Sequence, residues 1–554
     1  MTITQAQLNT EINTNLPTTG SGAINAAIMR QTLTDVTTAI FQSANVLNVK
    51  SFGAVGNGVV DDYPAIKAAD AAVASASGGM LYFPAGTYFV SLALQPSSGV
   101  NYQGAGKDVT IIKGAGLGPA PFNMSLVISA TFTGGNHLDN LVGTAVTYPI
   151  NAPTEGANTI TTTTAANAGN FSAGQTVLIS GDDHGTNFWY PDWTTTVVSA
   201  SAGTGVITLS ENLPFGGANV TRVQRITNQP QNIKISDMTI LGTNDQCIQV
   251  FCGQNIIFDN IIIRAGFGGT TGASFGASAC RNCVLQNSVS YGVILDMLGC
   301  FDSCFVNNML NSGAIQFDGG TQNSLIGWNT INDPTSGNGP GFNGINLAIY
   351  TRRNRVLGNA IVNVPATFVG INSVGSVAGD GNHIIEGNTI TSVDTTTTVG
   401  IDNNNVVNNT IIGNWINNVN TGVRLLSGSI GHTVEANTTV GAPVPYLVDS
   451  TSAIREPFTA GLWSTLTAAS ATPSVKNGHT FRLLNGVAQN VTGFNDGITG
   501  QQILIFFGDS NTTLIAGGPL RLSASTNYNP PVNTTMQFVN NQGTWYEISR
   551  VTTN

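Results

Sequence analysis

The chain has 554 residues, with 19 Lys and Arg against 29 Asp and Glu and a formal net charge of −10. Charged residues make up only 9%, against roughly 25% in ordinary globular domains, and the 65 glycines disfavour helical bundles. The thinly spread cations argue against a nucleic-acid partner, the longest apolar runs fall far short of the roughly 18 residues of a membrane span, and 41% hydrophobic content with 24 Phe excludes a disordered chain.

Residues 1–46 carry Ile24, Ala27, Ile28, Leu33, Val36 and Ile40 near helical spacing, in a segment too short to fold alone. No basic stretch followed by an apolar core opens the chain, so no secretory signal is expected. Next, Asp61 or Asp62 can cap a helix carrying Ile66, Ala69 and Val73, which the Gly78-Gly79 pair ends before a strand and a Pro84-Ala85-Gly86 turn. Residues 151–225, rich in Thr and Ser with an aromatic knot from His184 to Trp193, read as an inserted β subdomain.

From residue 233 the chain repeats itself. Apolar positions bracket an Asn or Asp at 237, 260, 287, 308, 329, 359, 388, 414 and 437, with spacings between 21 and 30 residues. A second landmark recurs in each unit, as in residues 313–317, 344–347, 370–373 and 400–403, where alternate residues are apolar. Units of this length without a leucine-rich pattern specify an all-β fold, a right-handed parallel β-helix over 47–455 whose asparagines stack along one turn. After Glu456-Pro457 the asparagine repeat stops, and short strands separated by turn signals predict a C-terminal β-sandwich over 456–554.

The run FGAVGNGVVDDYPAIKAA at 52–69, followed by GGMLYFPAGTYFVS at 78–91, resembles the opening segment of the pectate-lyase-like superfamily. That group includes phage tailspikes and many polysaccharide-degrading β-helix enzymes, in which this segment caps the first coil. Asn57 stands where an Asp is usual and Tyr63 where a Thr is usual. The N-terminal segment and the closing module also look like those of phage tail proteins. The resemblance implies a trimeric virion spike attached to the phage tail or baseplate through residues 1–46, with the last module serving trimerisation or receptor contact. It implies no particular reaction: only Thr243-Asn244-Asp245 echoes the polygalacturonase motifs, Gly-His-Gly is missing, and Lys is nearly absent from the repeats.

Twelve carboxylates lie between 226 and 441. Alternation along GVILDM and AIQFDG turns Leu295, Ile315 and Phe317 inward and Asp296 and Asp318 outward. Counted back from Asn308 and Asn329, the two aspartates fall on adjacent rungs of nearly one column, about 4.8 Å apart, where repulsion should raise one pKa. An acid beside a carboxylate is what glycoside hydrolysis uses. Asp302, in the turn between Cys300 and Cys304, is the candidate third member. Asp245 and Asp402 are placed to touch sugar hydroxyls, whereas Glu386 and Glu435 lie on another face. Tyr350 with Arg352, Arg353 and Arg355 forms the densest cation cluster, the expected site for an acidic sugar. Trp189, Tyr190 and Trp193, beside Asp182, Asp183 and His184, form either a substrate-binding lid or, the simpler reading, a local aromatic core.

All six cysteines fall between 247 and 304. Cys283 and Cys304 each stand four residues before a ladder Asn, as Ile256 does one coil earlier, so they read as stacked core fillers rather than metal ligands. No metal or cofactor is expected. The expected function is a tailspike depolymerase hydrolysing a bacterial surface polysaccharide, with a polysaccharide lyase and a non-catalytic receptor-binding spike as alternatives.

Overall fold

The computed structural model describes residues 46–114, 125–133, 135–136, 146–181, 191–242, 247–264, 273–292, 294–334, 343–375, 379–426, 428–448, 454–455, 464–466, 468–476 and 479–552. The N-terminal segment 1–45, Asp245, and the stretch from Asp182 to Tyr190 with Trp189 lie outside the described residues.

Three parallel sheets run along one axis. Sheet A has thirteen strands from Val46–Asn48 to Ile454–Arg455, sheet B twelve from Asn57–Asp61 to Thr438–Val440, and sheet C ten from Leu126–Ser129 to Val444–Val448. From residue 231 every third strand pairs with its predecessor, so each coil visits A, B and C once and returns one rung further on. The parallel β-helix expected from the repeat is therefore the fold observed. Inward residues of successive strands form continuous columns, such as Ile315, Ile345, Ile371 and Ile401. A stair of rings, Phe258, Phe275, Phe305 and Phe317, has centroids 5.1 to 5.9 Å apart. Edge-on and tilted ring packing of this kind adds to simple burial.

The first coils are closed by the helix Tyr63–Ser75, which buries Ile66, Ala69 and Val73. Asp62 occupies the N-cap position, but its carboxylate accepts instead from the backbone N–H groups of Val55 and Gly56. Asp61 performs the capping, accepting the Tyr63 N–H at 3.1 Å.

The asparagine column is two columns. Asn308, Asn329, Asn359, Asn388, Asn414 and Asn437 are buried and form one chain of amides, each donating Nδ2 to the next Oδ1 at 2.8 to 3.1 Å. Asp237, Asn260 and Asn287 sit one residue earlier in their coils, in left-handed backbone, in the slot held further on by Asn307, Trp328 and Gly358. Ser288 is the first inner member of that ladder, its backbone N–H donating to Asn308 Oδ1 at 3.0 Å. The same shift separates the cysteines: Cys283 lies opposite Ile256 and is fully buried, whereas Cys304 lies opposite Val284 and faces outward.

A second polar ladder lines the turn from sheet C back to A. Backbone N–H groups of Cys283, Ser303, Ser324, Asn354, His383 and Asn409 donate in turn to side chains of Ser303, Ser324, Asn354, His383, Asn409 and His432. Burial pushes the imidazoles of His383 and His432 down to about 3 and about 4, so both are neutral acceptors.

Between the sheet C strand Leu126–Ser129 and the sheet A strand Gln231–Ser236, the chain builds an antiparallel sheet of eight strands. It has its own apolar cluster around Trp193, Val197, Ile207, Phe215 and Val223, which also takes in Phe301 of the helix. At the C-terminal end a six-stranded mixed sheet and a two-stranded parallel sheet share one core containing Phe481, Ile505, Leu514, Phe538 and Trp545. The expected sandwich is coil-like in half of this module: Thr480–Leu483 pairs in parallel with Gln502–Phe507, and Gln489–Val491 with Thr512–Leu514, some twenty residues on. The strands Gln502–Phe507, Thr534–Asn541 and Thr544–Val551 pair antiparallel in that order.

Candidate active site

Sheet C presents a polar outward column. Gln249, Gly276, Asp296, Gln316, Asn346, Asn372, Asp402 and Arg424 lie opposite one another on successive strands. Gly276 is small because its neighbour leans across it; a Cβ there would stand 2.5 Å from Gln249 Oε1.

Asp296 and Asp318 occupy adjacent strands, but not one column. Asp296 faces Gln316, and Asp318 faces Leu298, two residues along the strand on the same outward face. Counting back from the ladder asparagines misses this because the turn after Asp318 is longer. Leu298 reaches Phe301 in three steps, whereas its partner Asp318 reaches Phe301's partner Gln322 in four, through the left-handed Gly319 and Gly320. The diagonal places the two Cα atoms roughly 8 Å apart, with side chains on one face.

Asp318 is fully buried and Asp296 partly so. Asp318 is 2% exposed; it accepts from Gly319 N–H and from Gln316 Nε2, each at 2.7 Å. Asp296 Oδ1 is buried and has no hydrogen-bond partner among the described residues. Burial pushes Asp296 up to about 7. Asp318 is driven well above the carboxylate range, by burial first and then by the charge of Asp296. The order of ionisation follows: Asp296 loses its proton first, and its negative charge then holds the proton on Asp318. Once Asp296 has ionised, one member is a carboxylate and the other is still an acid.

The antiparallel subdomain stands beside this pair. A Cβ on Gly299 would lie 2.9 Å from Asp192 Cβ, and one on Gly320 would lie 2.9 Å from Pro191 and 3.0 Å from the Phe215 ring. The turns that follow both aspartates are thus glycine because the subdomain presses on them. Asp192, itself 1% exposed, brings a further carboxylate, buried like Asp318, against the turn next to Asp318. Sequence reasoning missed Asp192, and nothing in its local sequence signals it. It also missed Gln316, which the alternation through Phe317 to Asp318 could have shown.

Several other candidates are engaged elsewhere. Asp302 is exposed, in left-handed backbone, and belongs to the turn column of Asn282, Asn323 and Arg353, one residue beyond the buried Phe301. It is not brought to the pair. Tyr350 is buried, its hydroxyl accepting from Asn219 at 2.5 Å. Arg352 is buried between carboxylates, 2.5 Å from Glu155 of the subdomain and 3.6 Å from Asp380. These two side chains fasten the subdomain to the helix. Arg353 is exposed and bonds to Asn323 and Gln322. Trp193 lies in the subdomain core with Arg281 5.8 Å over its ring, in accord with the simpler reading of the aromatic knot. Asp402 does lie on the outward column, held by Arg424 through two hydrogen bonds of 2.9 and 2.6 Å.

All six cysteines are free thiols. Among the described residues no group of three His, Cys, Asp or Glu side chains is arranged to hold a metal ion, and no helix is long and apolar enough to cross a membrane.

Residues 46–221 match the family described as rhamnogalacturonase A/epimerase, pectate lyase-like. Two curated proteins of Azotobacter vinelandii match shorter stretches. Mannuronan C5-epimerase AlgE2 is 49% identical over 73 residues, 12% of this chain and 7% of its own length. Alginate lyase 7 is 45% identical over 73 residues, 12% of this chain and 8% of its own. The chain thus spans less than a tenth of the length of these two relatives. The tailspike of Pseudomonas phage phi297 aligns over 83% of this chain and 84% of its own, at 14% identity and a TM-score of 0.49.

Proposed function

We propose that this pectate-lyase-like β-helix is a phage tailspike depolymerase that binds a bacterial surface polysaccharide, capsule or O-antigen, and hydrolyses its glycosidic bonds. The observation that carries the reading is the pair of outward carboxyls on adjacent strands of sheet C, Asp296 pushed up to about 7 and the buried Asp318 held well above the ordinary carboxylate range. In this reading Asp318 is the general acid that protonates the leaving glycosidic oxygen, and the Asp296 carboxylate is the base or nucleophile. Gln316 aligns Asp318 through its 2.7 Å bond. Asn346, Asn372 and Asp402 continue the same column as hydrogen-bonding groups for sugar hydroxyls. The chain would act as a homotrimer at the host surface, joined to the phage tail through residues 1–46.

The deciding experiment is incubation with host polysaccharide followed by sizing of the chains. Asp296→Asn and Asp318→Asn should each lower cleavage at least about a hundredfold, the usual scale for an essential acid or base. Full activity in both variants refutes the assignment. A lyase is the second reading, favoured by the name of one curated relative, alginate lyase 7. Product absorbance near 235 nm, from the double bond that β-elimination leaves, would replace hydrolysis with that reading. Binding without shortened chains would leave a receptor-binding spike.

A further inference from the structure

Away from sheet C, the corner between sheets A and B carries two of the six tryptophans on its surface. Trp328 is 55% exposed and Trp415 49%. Trp328 sits in the left-handed turn slot, at φ 54°. That conformation is costly for a bulky side chain, and no hydrogen bond among the described residues engages its indole. Asn, Ala and Gly hold the same slot in neighbouring coils, at Asn307, Ala436 and Gly387, so the fold does not require an aromatic there. A strained aromatic that stays in water points to something outside the chain.

The following rungs are cleared for it. In the next coil the slot is Gly358, where a Cβ would meet the Trp328 ring at 2.9 Å, so the indole lies along the axis across bare backbone. The two coils after that carry Gly387 and Gly413, with nothing within 4 Å of a Cβ at either. Trp415 stands two residues past Gly413, at the start of its sheet B strand, between Thr389 and Thr438 on the adjoining strands. From Trp328 to Trp415 the helix climbs three rungs, about 14 Å, the length of a short oligosaccharide. Glu386 and Glu435 line the sheet A side.

We propose that this corner is a second, non-catalytic carbohydrate platform, on which an uncharged hexopyranose chain lies along the axis with its apolar faces against Trp328 and Trp415. Exposed threonine hydroxyls donate to and accept from its hydroxyls, and the flanking glutamates accept from them. The proposal rests on the reading of the chain as a polysaccharide-acting protein. A second copy of the chain fits the corner less well. The two indoles offer about 250 Å² of exposed surface, against roughly 800 Å² per partner in a stable interface. The acidic flank likewise disfavours an anionic polymer.

The test is affinity electrophoresis of the full chain through gels containing dextran, laminarin, galactomannan or, as the acidic comparison, alginate, with light-scattering mass measured alongside. At least one neutral polymer should retard the wild type. Trp328→Gly and Trp415→Ala should each weaken that retardation about tenfold. Trp328→Gly should also melt no lower than wild type, because glycine fits the left-handed slot, which separates lost binding from lost structure. Cleavage of short oligosaccharides should be unchanged in both variants, and Asp296→Asn should still be retarded, so failure of the catalytic assignment and failure of the platform are read separately. The proposal is overturned if no neutral polymer retards the wild type, if the double variant is retarded equally, if alginate alone is bound, or if the variants lose mass, which would make the corner a subunit contact.

Discussion

Replacing Asp296 by Asn should stabilise the protein at alkaline pH while destroying its proposed activity. The Asp296 carboxyl rises from its ordinary 3.8 to about 7 in the folded chain. Between those values the folded state binds a proton that the unfolded state has released, so stability falls as pH rises from about 4 to about 7. Taken in full, the rise corresponds to about 4 kcal/mol lost by neutral-to-alkaline pH. In the Asn variant Asp318, freed from the neighbouring charge, ionises more readily, which lowers its own penalty as well, so the relative gain of the variant is not smaller than that amount. The amide has its own burial cost at every pH, so the informative quantity is the divergence of two curves. Urea unfolding of wild type and Asp296→Asn from pH 4 to 8 should show the variant gaining relative stability across that window. The same titration predicts that cleavage by the wild type rises through pH about 7 as Asp296 ionises. Parallel stability curves would mean that Asp296 is not buried as a carboxyl, and the division of roles between the two aspartates would fall with it.

His383 should act with the opposite sign. Its folded value of about 3 lies below its ordinary 6.5, so it contributes stability that is lost as pH falls through that range; His383→Asn, which keeps an acceptor for Asn354 N–H, should unfold at lower pH than wild type in an acid titration followed by circular dichroism. Asn359→Ala removes two donated and two accepted bonds in the inner ladder and should cost about 3 to 5 kcal/mol in denaturant unfolding, since each buried group left unpaired costs about 1 to 3 kcal/mol. Arg352→Ala leaves Asp380, 1% exposed, without its nearest cation and cuts the tie to Glu155; limited proteolysis should then cut within residues 131–228 before the helix.

The periodic part of the fold was legible because each coil needs the same three things: apolar residues facing in, a left-handed turn, and a buried acceptor behind it. Repeats of Ile, Gly and Asn carry that information openly. What the repeat could not carry was phase. Asp237, Asn260 and Asn287 satisfy the same pattern as Asn308, yet serve the turn itself rather than the ladder behind it, because asparagine suits both left-handed backbone and side-chain hydrogen bonding. The same slip misplaced Asp318 by one position, since an added glycine in a turn leaves no trace in composition. Asp296, Gln316 and Asp318 could all be placed on the outward face from alternation alone, but that Gln316 and not Asp318 lies opposite Asp296 depends on register. The roles of Tyr350 and Arg352 depend on Asn219 and Glu155, more than a hundred residues away. Pairings of that kind have no local signature.

The inner ladder also has a direction. The backbone N–H of each asparagine position donates forward, to the side chain of the coil made after it: Asn308 to Asn329, Asn329 to Asn359, Asn359 to Asn388. A ribosome emits coils in that same order, so the growing end always presents one unmet donor and the next coil supplies its acceptor. Growth from the amino end is therefore templated one turn at a time, whereas a chain missing its first coils would have no seed to start from. Any nascent chain halted midway would expose the same open step, and the step most ready to receive it is the equivalent coil of an identical chain.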